Sequence, residues 1–461
     1  MGFNMRKITC LFIIFILVFS FVSCGSGKEE VFDLDLDLDA TFDADFQGAE
    51  FIIIGEQRDG RIEIDPYQEF EDSEWQERLK NRYEEIESKY NLKFVFKTKT
   101  LDLIAAHAGG MKWADLYDAR SDGHWPNINA GLYNSLTDVP GFVEGIENGK
   151  WGSVAAVEYF KRGDAYYGFY PGYHGIPFPA MGGILYANLE LVGQYGFRPY
   201  EMIEDGSWTW EGFENILKTI GGSPRDLSNN IPVGMYITDS FYEYFQTAAI
   251  LNNGGSLVKK DNEGRLVSNF DSKEVKEALE WCRSLLANGI VEVGQNDIKY
   301  DYFLEDLLGF VYEYSYVGTV DTTGFMYNDV DFAILPCPAG PSAEYGKWSS
   351  YLGLADRYLT APITADMEIV NTILAELYAP LGDDPFEWRE VYANRNFLHE
   401  ESADLYWQMY DNAQPDYYLA TQKFQWSSVI RGTTTVAAAI ESTAENIQAE
   451  LDRSFNSFNN K

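Results

Sequence analysis

Hydrophobic positions in the first quarter of the chain alternate between two rhythms. Phe51-Ile52-Ile53-Ile54 is a short apolar run bounded by polar residues, the pattern of a parallel strand covered on both faces. Ser73 with Gln76 forms a capping-box start, and Trp75, Leu79, Tyr83, Ile86 and Tyr90 then recur every three or four residues, as on one face of a helix. Phe94-Val95-Phe96 predicts a second strand. Strand, helix and strand in this order imply a parallel βαβ unit. A short helix over Leu101–His107 and a strand over Trp113–Tyr117 extend it. The polar residues from Arg120 to Trp125 predict a loop, with helix resuming at Ile128–Leu132.

The same punctuation continues. Leu189–Tyr195 reads as a helix stopped by Gly196 and Pro199. Thr209 is placed to cap a helix that Gly221-Gly222 ends. Val233–Ile237 predicts a strand, with residues 238–245 as the loop after it. Asp271 is placed to cap the helix carrying Val275, Ala278, Leu279, Cys282 and Leu285, up to Asn288-Gly289. Gly309-Phe310-Val311 and Phe332–Leu335 predict further strands, and the last helix carries a stripe of Ile440, Ala444, Ile447 and Leu451.

Between these series lies GDAYYGFYPGYHGIPFPAMGGILYANLE, residues 163–190. Glycine and proline at this density cannot continue a helix or a central strand, so the stretch predicts a crossing between two lobes. Its Gly163-Asp164-Ala165-Tyr166-Tyr167-Gly168 and Leu185-Tyr186-Ala187-Asn188 pattern resembles the first inter-lobe crossover of the extracellular solute-binding proteins of ABC importers, specifically the carbohydrate and maltodextrin-binding cluster. Five further stretches are similar to that family in order and spacing. They are Ala130-Gly131-Leu132 with Leu136-Thr137-Asp138, Trp208-Thr209-Trp210 with Phe213, Gly254-Gly255, Phe270 to Leu279, and Phe332 to Pro341. The resemblance spans about residues 46–455. It implies an α/β, two-lobed periplasmic-binding-protein-like (type II) fold, each lobe a parallel or mixed sheet flanked by helices, with the ligand cleft between lobes. Lobe one is expected to comprise 46–177 with 318–378, and lobe two 178–317 with 379–461.

Residues 1–23 carry Arg6 and Lys7 before an apolar stretch from Leu11 to Phe19, the make-up of a signal peptide. Ser23-Cys24 resembles a lipobox, which implies cleavage before Cys24, a lipid on its thiol and attachment at the outer face of the cell membrane. Residues 24–45 form an acidic tether; its Asp-Leu repeat lacks the Gly and Glu that a calcium loop requires. A net charge of −37 excludes a nucleic-acid binder. Cys282 and Cys337 are expected as buried free thiols, and four histidines show no metal-ligand spacing. No cofactor is implied.

Aromatic residues make up 16% of the chain, and this bears on the ligand. Sugar rings present apolar faces to aromatic planes and hydroxyl rims to carboxylates and guanidinium groups. The loops after the strands carry the candidate ligand-binding residues Glu56, Arg58, Asp122, Trp125, Tyr244, Phe245, Tyr316, Trp348 and Trp426. The resemblance assigns hydroxyl binding to Asp122 and stacking to Tyr244, Phe245 and Trp426. It also implies a monomer that takes up a carbohydrate ligand and docks on ABC permease subunits. No Gly-x-Ser-x-Gly, His-Glu-x-x-His or phosphate-binding glycine loop occurs. A lipid-anchored glycan hydrolase, and a binding protein for a peptide or polyol, remain the alternatives.

Overall fold

A computed structural model describes residues 44–55, 57–58, 61–62, 64–68, 73–99, 102–171, 181–221, 230–238, 241–294, 299–314, 317–318, 324–352 and 357–457. The leader, Cys24 and the acidic tether lie outside these residues. So do His174 and most of the first crossover.

The chain opens with the expected βαβ unit: β1 (Ala49–Gly55), α1 (Ser73–Tyr90) and β2 (Leu92–Thr98). β1 and β2 run parallel, from Ala49 opposite Leu92 to Gly55 opposite Thr98. Side chains of β1 alternate between two cores. Phe51 and Ile53 join one with Tyr83, Phe94 and Ile373, while Ile52 and Ile54 join the other with Trp113 and Trp125. Both faces of the strand are therefore covered, as its unbroken apolar run requires.

The next strand, β3 (Leu116–Arg120), begins three residues later than the apolar pattern suggests. Asp115 explains the shift. Its buried carboxylate accepts the N–H of Ile52 at 2.7 Å and that of Asp366 at 2.9 Å, and its own N–H donates to Ile52 at 2.8 Å. The run-in is thus held by one side chain, and regular pairing starts after it. The predicted loop at Arg120–Trp125 is instead the start of α2 (Ser121–Asn129), which places Trp125 and Ile128 on one buried face. After α3 (Val154–Tyr159), a two-residue hairpin pairs β4 (Lys161–Arg162) with β5 (Ala165–Tyr166) and leads to the crossover.

The second series comprises β6 (Gly183–Asn188), α4 (Leu189–Gln194), α5 (Trp210–Ile220), β7 (Val233–Thr238), α6 (Tyr242–Leu251), α7 (Lys273–Ala287), β8 (Glu292–Gly294), β9 (Leu308–Tyr314) and β10 (Phe332–Leu335). Asn188 and Thr209 cap α4 and α5 by accepting backbone N–H groups, the latter as predicted. Ser272, not Asp271, caps α7; Asp271 pairs with Lys276 instead. These strands form a five-stranded sheet in the order β8-β7-β9-β6-β10, with β7 parallel to β8 and β9, and β6 antiparallel to β9 and β10. Cys282 and Cys337 are free and buried.

The chain then returns. After β11 (Tyr351–Leu352), β12 (Arg357–Thr360) adds antiparallel to β3, completing a first sheet in the order β12-β3-β1-β2. The sequence boundary at 318 assigns β10 to the first lobe. Its hydrogen bonds to β6 place it in the second sheet, so the return falls between Leu335 and Arg357. Next, α8 (Met367–Leu377) packs into the first-lobe core. The chain then crosses again: Ser402 in α9 (Glu400–Asp411) accepts the N–H of Ile334 on β10. The last elements are β13 (Gln414–Pro415), α10 (Trp426–Ile430) and α11 (Val436–Leu451), followed by one π turn, Asp452–Asn456.

Candidate functional site

Two of the post-strand segments that should converge on a ligand are described far enough to follow. The carboxyl end of β3 runs directly into α2. The carboxyl end of β7 leads to Phe241 and α6, so Tyr244 and Phe245 lie on a helix rather than in the expected loop. Helical geometry separates the two. Phe245 is fully buried and packs on Trp281 and Tyr312, with ring centroids 6.0 and 5.6 Å away. Tyr244 stays half-buried and stacks on Tyr351 at 5.6 Å with planes 15° apart; Phe241 stands edge-on to it and Tyr314 is tilted against it at 6.5 Å.

Around Tyr244 the second lobe gathers acids and phenols. Glu243 precedes it, and Asp416, directly after β13, raises the Glu243 pKa through its charge. Burial is the larger cause and pushes the Glu243 carboxyl up to about 8. Burial likewise pushes Asp416 up to about 7, against the hydrogen bond it accepts from the Thr421 hydroxyl at 2.8 Å. The Tyr244 hydroxyl is raised first by burial and then by Tyr314, Glu243, Asp416 and Tyr418. Among the described residues no cation pairs with either carboxylate.

The first lobe meets this cluster from the other side. Tyr159, at the end of α3, donates its hydroxyl to the Asp416 carbonyl at 2.5 Å, and its ring stands edge-on to Tyr417 at 5.7 Å. Trp125 reaches across the same seam to Phe455 at 4.8 Å. Its other neighbours are Phe160, stacked at 5.0 Å with planes 3° apart, and the Arg162 guanidinium, 3.9 Å from the indole centroid. Trp125 is thus a packed strut between lobes.

Trp348 and Trp426 are buried too. Trp348 has Tyr345 edge-on at 5.2 Å. Trp426 is packed by Phe424 and Phe270 and donates its indole N–H to the Thr421 carbonyl at 3.0 Å. Glu56 and Tyr316 lie outside the described residues. Arg58 and Asp122 are described in backbone only, Asp122 in the first turn of α2 beyond the carboxyl end of β3. His124 is structural: Tyr133 and the Tyr358 carbonyl hold its two ring nitrogens at 2.9 Å. Among the described residues no group of three or more His, Cys, Asp and Glu side chains is arranged to hold a metal, and no helix is long and apolar enough to cross a membrane.

Sequence reasoning missed Glu243, Tyr314, Tyr351, Asp416, Tyr417 and Tyr418. A signal existed for the last three, since Pro415-Asp416-Tyr417-Tyr418 is an isolated acid among phenols after a strand-breaking proline. Tyr351 had none, because its place beneath Tyr244 depends on how the returning chain lies.

No protein-family model matches the chain, and no curated protein matches it by sequence. Solved structures do match in shape. The sugar-binding protein MalE from the phytopathogen Xanthomonas citri is similar over 88% of this chain and 98% of its own, with a TM-score of 0.57 and 13% identity. A cyclo/maltodextrin-binding protein complexed with maltotetraose covers 88% and 97%, with a TM-score of 0.58 and 14% identity. The GacH receptor of Streptomyces glaucescens, solved unliganded and with acarbose, covers 88% and 99%, with 0.57 and 13%. The chain therefore has the two-lobed α/β fold of these binding proteins.

Proposed function

We propose that the chain is an extracellular solute-binding protein that captures a sugar or oligosaccharide between its lobes and delivers it to an ABC permease. One observation carries this reading. The half-buried Tyr244 face, backed by Tyr351, lies beside Glu243 and Asp416 at the seam of a fold otherwise found in sugar-binding proteins. An aromatic plane beside carboxyl groups suits the apolar face and hydroxyl rim of a sugar. Ligand contacts from both lobes would favour the closed arrangement by differential affinity, a population shift with no bond chemistry. The resemblance adds Asp122, whose backbone lies at the start of α2, as the hydroxyl-binding acid of this reading. In this reading a lipid on Cys24 tethers a monomer to the outer face of the membrane.

The test is a thermal-shift panel of oligosaccharides, with peptides and polyols as controls, followed by recovery of the ligand. A ligand at 100 times its Kd should add about 2.7 kcal/mol of stability. Intact glycan recovered afterwards supports capture. Shortened glycan would instead favour the glycan-hydrolase alternative. A shift with peptides or polyols alone would overturn the sugar assignment.

A further inference from the structure

Arg162 is the buried charge that neither the fold nor the proposed cleft accounts for. It sits on β4, just before the crossover, and is 6% exposed. One end of its guanidinium is satisfied: Nη1 donates to the carbonyls of Lys161 at 2.5 Å and Tyr159 at 3.5 Å. Its two faces lie against Trp125 at 3.9 Å and Phe455 at 4.9 Å. Nε and Nη2 are buried and have no hydrogen-bond partner among the described residues. Those two N–H groups form the edge on which a guanidinium holds a carboxylate through two parallel bonds.

Among the described residues no acid fills that place. The groups acting on the Arg162 charge are the phenols of Tyr417, Tyr159 and Tyr167. Glu158, on the adjacent helix, is taken up by Lys161 at 3.3 Å, Lys260 at 3.6 Å and the Tyr166 hydroxyl at 2.9 Å. Burial lowers Arg162, yet only to about 9, so the side chain stays charged at neutral pH. Glu243 and Asp416 reduce the cost of burial by holding their protons to higher pH. Arg162 has no such escape, and a buried charge lacking a partner is strongly unfavourable. Phe455 and Tyr417, from the C-terminal part of the chain, pack against each other here, beside the contact between Tyr159 and Asp416, so the free edge lies at that same seam.

We propose that Arg162 is the anchor for a carboxylate on the ligand, and that the captured sugar is acidic, a uronic-acid-bearing oligosaccharide. This rests on the sugar-capture reading. The geometry asks for a planar, two-oxygen anion between aromatic walls, which a uronate provides on a ring that those walls also accept.

The experiment compares uronate oligosaccharides (galacturonate, glucuronate, mannuronate and guluronate series) with their methyl esters and with neutral oligosaccharides, by calorimetry on the wild-type protein. Esterification removes the charge and keeps the sugar. The expected result is at least about tenfold tighter binding of one free acid than of its ester. Arg162→Gln should reduce that ratio to near one, and Arg162→Lys should restore part of it. Equal binding of acid and ester, or a preference that persists in Arg162→Gln, overturns the inference. Binding of neutral oligosaccharides alone overturns it and leaves sugar capture standing, whereas no binding of any glycan overturns both. The wild-type comparison of acid with ester decides the matter even if Arg162→Gln does not fold.

Discussion

Glu243 and Asp416, from segments more than 170 residues apart in sequence, lie close enough for the buried Asp416 to raise the half-buried Glu243 carboxyl through its charge, with no described cation to pair either.

This relationship predicts an unusual pH response. Folded, the two groups hold protons to about 8 and about 7, against ordinary values of 4.5 and 3.8. Between those limits the folded state binds more protons than the unfolded chain, so their contribution favours folding at low pH. It is lost as pH rises through about 4 to 8. Glu243→Gln should therefore be more stable than wild type at pH 8, by up to about 4 kcal/mol, and gain nothing at pH 4. Urea midpoints of the two proteins at both pH values check this; a constant difference would contradict it.

Tyr244 and Trp426, to both of which the resemblance assigns stacking, should separate by mutation. Tyr244→Ala removes a half-exposed stacking face and should weaken oligosaccharide binding by about tenfold or more, with the protein still folded. Trp426→Ala empties a packed site and should cost about 3–5 kcal/mol of stability. If Trp426→Ala melts like wild type and binds poorly, that tryptophan is a ligand residue as the resemblance implied.

Gly182 supports Tyr244 from below. Its N–H donates to the Tyr351 carbonyl at 2.7 Å, the Gly183 N–H donates to the Tyr351 hydroxyl at 3.0 Å, and a Cβ at 182 would run into the Tyr351 ring. Gly182→Ala should cost about 1–3 kcal/mol through overpacking and also reduce ligand affinity, because Tyr351 can no longer lie flat under Tyr244. Calorimetry and thermal melting on one sample measure both.

Asp115 is a purely structural counterpart. Asp115→Ala strips the buried Ile52 N–H and the part-buried Asp366 N–H of their acceptor, and should cost roughly 2–4 kcal/mol by urea unfolding. Ligand affinity of the remaining folded protein should not change.

The strands and helices were readable because their apolar periods are set locally. β1, β2, α5 and α7 fall where Phe51–Ile54, Phe94–Phe96, Thr209 and Val275–Leu285 put them. What escaped depends on contacts across the fold. Polar residues at 120–125 looked like a loop because the face that buries Trp125 and His124 is supplied by Phe160 and Tyr133. In α11 Thr443 is buried and Ala444 exposed, since the Thr443 hydroxyl is satisfied within the helix by the Ala439 carbonyl. Aromatic residues marked the chain as a sugar-binding candidate, yet which of them face a ligand and which pack the core is a matter of helix phase, as Tyr244 and Phe245 show.

The position of β12 also sets the order in which the molecule is assembled. This strand closes the edge of β3, yet it leaves the ribosome only after every strand of the second sheet. The first lobe, begun earliest, is therefore finished last, and until then β3 is an open edge able to pair with the wrong chain. Any fragment that stops before Arg357 keeps that edge, so the first lobe has no contiguous stretch of sequence from which it can be made alone.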